Sequence, residues 1–156
     1  MKVFVTKRKD TDEVKNELVE KVDFIKICKN EKFNCITIKN PEDSNTICML
    51  RGMEITSEEK DNKLRLIQGE DEFYRGEIES SKEYKIGIFN VKSELQIYNN
   101  NRNIELTRNT LLRNQKCNVL NDLELIILPK GCIYIKLDEE VCDFNIKINW
   151  TSEEIA

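Results

Sequence analysis

The chain has 156 residues, carries a net charge of −4 and contains six cysteines but no histidine. Without histidine, Ser-His-Asp and Cys-His catalysis are excluded, and so is the commonest protein ligand for metal ions. The slightly acidic balance also provides no broad cationic field of the kind that attracts nucleic acid.

The length favours one domain over residues 1–156, with at most a weak subdivision into 1–75 and 76–156. The sequence has no run of about 20 apolar residues, so we expect no membrane span. It has no apolar N-terminal stretch, so we expect no secretory signal. We therefore expect an intracellular protein, or one that is released by lysis.

The first predicted elements are a short strand at Lys2–Thr6 and an α-helix at Asp10–Val22. Thr11 can cap the helix, and Asp12 suits its positive end. Apolar residues repeat at four-residue spacing along one narrow helical face: Val14, Leu18 and Val22. We expect this small helix to dock on a sheet.

Strands are predicted on both sides of an acidic middle segment, Ile55–Arg75. We interpret its carboxylates as a solvated face, because the spacing of a calcium-binding loop is absent. The strands before it are Asp23–Cys28, Phe33–Lys39 and Thr46–Arg51. Tyr84–Val91 follows it, and then a hairpin with an asparagine turn, formed by Leu95–Tyr98 and Asn103–Leu106.

The C-terminal part has the pattern of an antiparallel meander. Leu123–Leu128 leads through a Pro129-Lys130-Gly131 corner into Cys132–Leu137, and a polar turn at 138–140 precedes Asp143–Trp150. In that last strand apolar residues alternate with polar ones, as in a half-buried antiparallel strand. Together these patterns predict a mainly β protein: an antiparallel, jelly-roll-like β-sandwich with one short N-terminal α-helix.

No motif for catalysis, a cofactor or a metal is found in the sequence. The five glycines form no phosphate-binding loop, and the six cysteines include no Cys-x-x-Cys pair. We interpret the cysteines as small buried apolar residues. The prediction is a protein that is not an enzyme, with no catalytic, cofactor-binding or metal-ligating residues.

Three segments carry a resemblance to a known class of proteins: ELQIYNNNRNIEL, ILPKGCIYIKL and DFNIKINW. With them, Tyr84–Trp150 resembles the β-sandwich domains of structural proteins in tailed bacteriophages and phage-tail-like particles. The resemblance implies a structural subunit of a tail, baseplate, neck or capsid, with no active residues to carry over. It also implies residence in the host cytoplasm during assembly and then in the particle.

Such subunits act by shape and self-association. We therefore expect a homo-oligomer that also contacts other structural proteins, but neither nucleic acid nor membrane. An exposed strand edge such as Lys2–Thr6 is a candidate contact, and a head-to-tail contact that closes produces a ring. The candidate interface residues are Phe4, Tyr98, Arg102, Arg108 and Arg113.

Two other functions stay open. A β-sandwich module for carbohydrate or another small ligand predicts exposed aromatic side chains, for which Tyr84, Tyr98 and Tyr134 are candidates. A small intracellular regulator predicts contact with nucleic acid through the basic stretch from Arg102 to Lys116, although no aromatic residues interleave with its cations.

Overall fold

Ten β-strands form one sheet in the computed structural model, which describes residues 2–7, 21–40, 45–70, 81–84, 87–92 and 104–155. They are β1 (Val3–Lys7), β2 (Lys21–Lys39), β3 (Thr46–Thr56), β4 (Asn62–Glu70), β5 (Ser81–Tyr84), β6 (Gly87–Lys92), β7 (Ile104–Leu111), β8 (Lys116–Asn118), β9 (Leu123–Ile127) and β10 (Gly131–Glu154). No helix lies in these ranges.

The longest strand, β10, is the centre of the sheet. Its 24 residues pair antiparallel with β2 along one edge, and with β4 and then β3 along the other. Beyond β3 the sheet continues to β9 and β1, and beyond β2 it continues to β6 and β5. β7 extends the sheet from β4, and β8 pairs with β3. Within the described chain, β1 therefore ends one row of strands.

The sheet bends where β10 changes neighbours. The register between β10 and β2 is irregular from Lys136 to Asp143, and β4 gives way to β3 along the other edge. The Asn62 side chain braces this bend, because it accepts the Glu139 N–H at 3.1 Å and donates to the Glu139 carbonyl at 3.0 Å. Bulges of this kind bend a strand and increase its twist. The sheet thereby curls into a nearly closed, barrel-like form.

The main hydrophobic core lies inside this curled sheet. On β10, every second side chain near the C-terminal end is at most 2% exposed: Phe144, Ile146, Ile148 and Trp150. Side chains from β2, β3, β4 and β9 pack with them. Each fully buried aliphatic or aromatic side chain of this size contributes about 1.5–3 kcal/mol relative to exposure.

A second buried cluster occupies the other face of β10 near its start. It contains Cys35, Ile67, Cys132 and Tyr134, and all four are at most 6% exposed. The neighbouring Ile133 and Ile135 belong to the main core. Both faces of β10 are therefore buried here, which explains why this run of the sequence is apolar without alternation.

The expectation of a mainly β protein is confirmed, but the two-sheet sandwich and the N-terminal helix are wrong. The described strands belong to a single curled sheet. The predicted helix at Asp10–Val22 ends inside β2, where Lys21 pairs with Trp150 and Val22 pairs with Asn149. The strand β10 supplies ready backbone partners there, so tertiary pairing overrides a narrow helical pattern. Residues 10–20 of the predicted helix lie outside the described residues.

One further prediction differs in detail from the structure. The polar turn predicted at 138–140 is an exposed part of β10, which runs unbroken from Cys132–Leu137 into Asp143–Trp150. A bulged strand and a solvated turn share the same polar composition, so the sequence alone does not separate them. Of the predicted hairpin, 104–106 begin β7, which pairs with β4, and Leu95–Tyr98 lies outside the described residues.

Candidate functional site

Strand β1 is the edge of the sheet beside β9. Among the described residues it pairs with β9 alone, from Val3 opposite Ile127 to Lys7 opposite Leu123. Phe4 is 42% exposed and Val5 is 41% exposed, although Val3 is buried. Apolar side chains beside an open backbone edge are a template for the addition of another strand.

The backbone groups of β1 alternate between its two edges. The Leu128 N–H donates to the Lys2 carbonyl at 2.9 Å, so Lys2 faces β9. Because successive residues of an antiparallel strand face opposite edges, Phe4 also directs its N–H and C=O toward β9. Val3 and Val5 direct theirs outward. The outer edge of β1 therefore presents donors and acceptors at every second residue.

The corner after β9 holds β1 in place. The Gly131 N–H donates to the Leu128 carbonyl at 2.8 Å, and Lys130 within this turn has a φ of 73°. A Cβ atom on Gly131 would lie 2.7 Å from the Lys2 carbonyl oxygen. Glycine at this position therefore permits the close approach of the chain before β1 to the start of β10.

A second surface feature is a shallow groove on the outer face of β2, β10, β3 and β8. It has a volume of about 260 Å³ and is lined by Phe24, Ile25, Lys26, Glu54, Thr56, Lys116, Asn145, Ile146 and Lys147. The Phe24 side chain is 75% exposed. The Lys147 Nζ lies 5.7 Å from its ring centroid, within cation–π range. An aromatic ring with one ammonium group in cation–π range is thus open to solvent.

The described members of the predicted interface lie on different parts of the sheet. Phe4 is on the β1 edge, Arg108 is on β7, and Arg113 lies between β7 and β8. Tyr98 and Arg102 are outside the described residues. No described contact joins Phe4 to either arginine, so the structure does not bring these three residues together.

The described cations of the basic stretch each lie against an acidic group or a carbonyl. The Arg108 guanidinium is 2.9 Å from the Glu105 carboxylate, and the Lys116 Nζ is 3.6 Å from the Glu54 carboxylate. The Arg113 Nε donates to a backbone carbonyl at 3.1 Å. Compensated cations attract phosphate weakly, which argues against a nucleic-acid contact at these positions.

The aromatic residues singled out from the sequence have mostly structural positions. Tyr134 is fully buried, with its hydroxyl 3.3 Å from the Cys132 Sγ. Trp150 is also buried; its Nε1–H donates to the Asp23 carboxylate at 2.8 Å, and the Lys21 Nζ is 4.6 Å from its ring. Tyr84 lies in β5 and Tyr98 is outside the described residues. The Trp150 side chain is therefore part of the core.

The described cysteines have the character of core residues. Cys35, Cys48 and Cys132 are buried. No disulfide is formed by the five cysteines whose side chains are described: Cys35, Cys48, Cys117, Cys132 and Cys142. Burial raises the pKa of the Cys48 and Cys117 thiols, so both are protonated at neutral pH and are poor nucleophiles. Across the described ranges, no cluster of three metal-ligating side chains occurs.

The exposed pair Val22 and Phe24 on β2 is a feature that sequence reasoning misses. The sequence places Val22 in the apolar repeat of the predicted helix. It places Phe24 in a predicted strand without indicating which face of that strand is buried. The available signal is the period of two, since Ile25 is 2% exposed and must face opposite to Phe24. Which of the two faces inward depends on β10, and β10 is more than a hundred residues away in sequence.

No family model, curated protein or solved structure matches this chain. Within the described ranges, no helix has the length and apolar character that a membrane crossing requires.

Proposed function

We propose that this protein is a non-enzymatic structural subunit that acts by self-association, and that the open edge of β1 is the contact. The observation that carries the proposal is the exposure of Phe4 and Val5 on a strand that, among the described residues, is paired along one edge only. The resemblance of Tyr84–Trp150 to tail proteins supports a place in a virion or phage-tail-like particle, where the other partners are structural proteins.

Strand addition at β1 gains both hydrogen bonds and buried apolar surface. The outward N–H and C=O groups of Val3 and Val5 find partners, and Phe4 and Val5 lose contact with water. A contact through one short strand falls at the low end of interface sizes, below about 1,200 Å². We therefore expect association that depends on protein concentration and that becomes strong when subunits are held together in a particle.

Native mass measurement over a range of concentrations, with negative-stain imaging, tests the proposal. We expect the wild-type mass to rise with concentration, and Phe4→Lys to stay monomeric because a buried lysine opposes pairing. Phe24→Lys is the matched control, since it changes an exposed phenylalanine on β2 and should associate like the wild type. A wild-type protein that is monomeric at every concentration contradicts the proposal.

A second candidate function, the binding of a small ligand, is favoured by the groove around Phe24. An exposed ring beside Lys26 and Lys147 suits stacking on an anionic or sugar ring. The test is an NMR titration with galactose, N-acetylglucosamine and glucuronate. Shifts confined to the groove and lost in Phe24→Ala support this candidate, and unchanged spectra with all three probes remove it.

A further inference from the structure

We infer that the strand that pairs with the open edge of β1 is β1 of a second copy, in an antiparallel register that places Phe4 opposite Phe4. We call this arrangement the β1–β1 register. It rests on the proposed self-association and specifies its geometry.

Symmetry limits the possible registers to a few. A two-fold axis perpendicular to the sheet maps the outer face of one copy onto the outer face of the other. Side chains directly opposite each other in an antiparallel pair share a face. The two-fold axis must therefore pass midway between the two copies of one residue, so that this residue of one chain lies opposite the same residue of the other. Near the middle of β1 the choices are Val3, Phe4 and Val5.

An axis at Phe4 gives hydrogen-bond partners to the outward backbone groups of Val3 and Val5. Val3 of one copy then opposes Val5 of the other, and both residues direct their N–H and C=O groups to this edge. Two such pairs exchange four hydrogen bonds. Phe4 opposes Phe4 in a non-hydrogen-bonded pair, where the Cα atoms are about 4.5 Å apart and the side chains approach most closely.

The side chains select the same register. With the axis at Phe4, the exposed rings cover each other, and Val5 meets Val3. With the axis at Val5, Phe4 opposes the polar Thr6, and with the axis at Val3 it opposes Lys2. Among these three choices, the exposed rings therefore cover each other only when the axis lies at Phe4.

Charge is also compatible with the β1–β1 register. Lys2 of one copy opposes Thr6 of the other, so no lysine directly faces a lysine. The two Lys7 residues are displaced by six positions, or about 20 Å along the strands. The contact is closed, so it forms a two-fold dimer and leaves the far edges of the sheet for other partners.

Disulfide trapping tests the register directly. In Phe4→Cys, two thiols lie across a pair whose Cα separation suits a disulfide, so mild oxidation is expected to produce covalent dimers. Thr6→Cys is the matched control on the same strand, because the two Thr6 positions are displaced by about 13 Å. The wild-type chain, treated identically, measures any background from its own cysteines.

A second trap keeps Phe4 in place. Lys2→Cys and Thr6→Cys proteins are mixed, and the β1–β1 register predicts a mixed disulfide dimer, since these two positions oppose each other. If the native mass shows association but neither trap exceeds the Thr6→Cys control, this register is wrong while the proposed self-association stands. A wild-type chain that never associates removes both ideas.

Discussion

Strands β10 and β1 are both rich in β-branched and aromatic residues but have opposite situations in the sheet. β10 is paired along both edges, and its apolar side chains from Phe144 to Trp150 are buried. β1 is paired along one edge among the described residues, and Phe4 and Val5 remain exposed. The alternation of apolar and polar residues thus determines which face of a strand is buried, whereas the neighbouring strands determine whether its edges are paired. In this molecule, the difference separates a scaffold strand from a contact strand.

The largest expected effect is on stability, at the buried end of β10. Trp150→Ala removes a side chain that is 1% exposed, together with its hydrogen bond to Asp23. We expect the free energy of unfolding to fall by about 3–5 kcal/mol, measured by urea denaturation. Phe24→Ala, at a 75% exposed aromatic, should change it by no more than about 0.5 kcal/mol. Equal losses of unfolding free energy in Trp150→Ala and Phe24→Ala would contradict the assignment of Trp150 to the core and of Phe24 to the surface.

The second prediction concerns Gly131, where the start of β10 lies against the chain before β1. A Cβ atom there meets the Lys2 and Leu128 carbonyl oxygens at 2.7 and 2.9 Å, so Gly131→Ala must displace backbone. We expect a loss of about 2 kcal/mol in the free energy of unfolding. Gly52→Ala is the matched control, because its nearest contact is 3.5 Å and is an ordinary one. A neutral Gly131→Ala would show that β1 does not depend on this close approach.

The bend of β10 depends on one amide side chain. Asn62→Ala leaves the Glu139 N–H and C=O without their side-chain partner. Because Glu139 is exposed, water replaces part of the interaction, and we expect a loss of about 1 kcal/mol in unfolding free energy. Gln115→Ala, on an exposed turn, serves as the control in the same denaturation experiment. If the unfolding free energies of Asn62→Ala and Gln115→Ala differ by less than about 0.3 kcal/mol, the Asn62 side chain does not stabilise the bend.

The smallest expected effect on stability belongs to β1 itself. Phe4→Lys changes a side chain that is 42% exposed, so the free energy of unfolding at low concentration should move by no more than about 0.5 kcal/mol. Its association should nevertheless be lost. Denaturation of dilute protein, combined with sedimentation of concentrated protein, measures both quantities. A strongly destabilised Phe4→Lys protein would place Phe4 in the core and not at a contact.

The strands were largely predictable, because alternation and β-branched residues act locally. The last strand at Asp143–Trp150 and the turn at Pro129 follow from the residues themselves. The closure of the sheet was not predictable, since it depends on β10 pairing with β3 and β4 along one edge. The start of β2 was mistaken for a helix because its partner is Trp150, far along the chain. Phe4, predicted as an interface residue, is 42% exposed, and its place at an interface stays a prediction. The sequence does not show that Arg108 lies against the Glu105 carboxylate or that Arg113 lies against a backbone carbonyl.

Residue-resolved hydrogen exchange at low and high protein concentration tests the central claim most directly. The Phe4 and Thr6 amides face β9 and should be protected at both concentrations. The Val3 and Val5 amides face the open edge, so we expect fast exchange in dilute protein and protection once the chains associate. If association occurs while Val3 and Val5 continue to exchange fast, the β1 edge is not the contact.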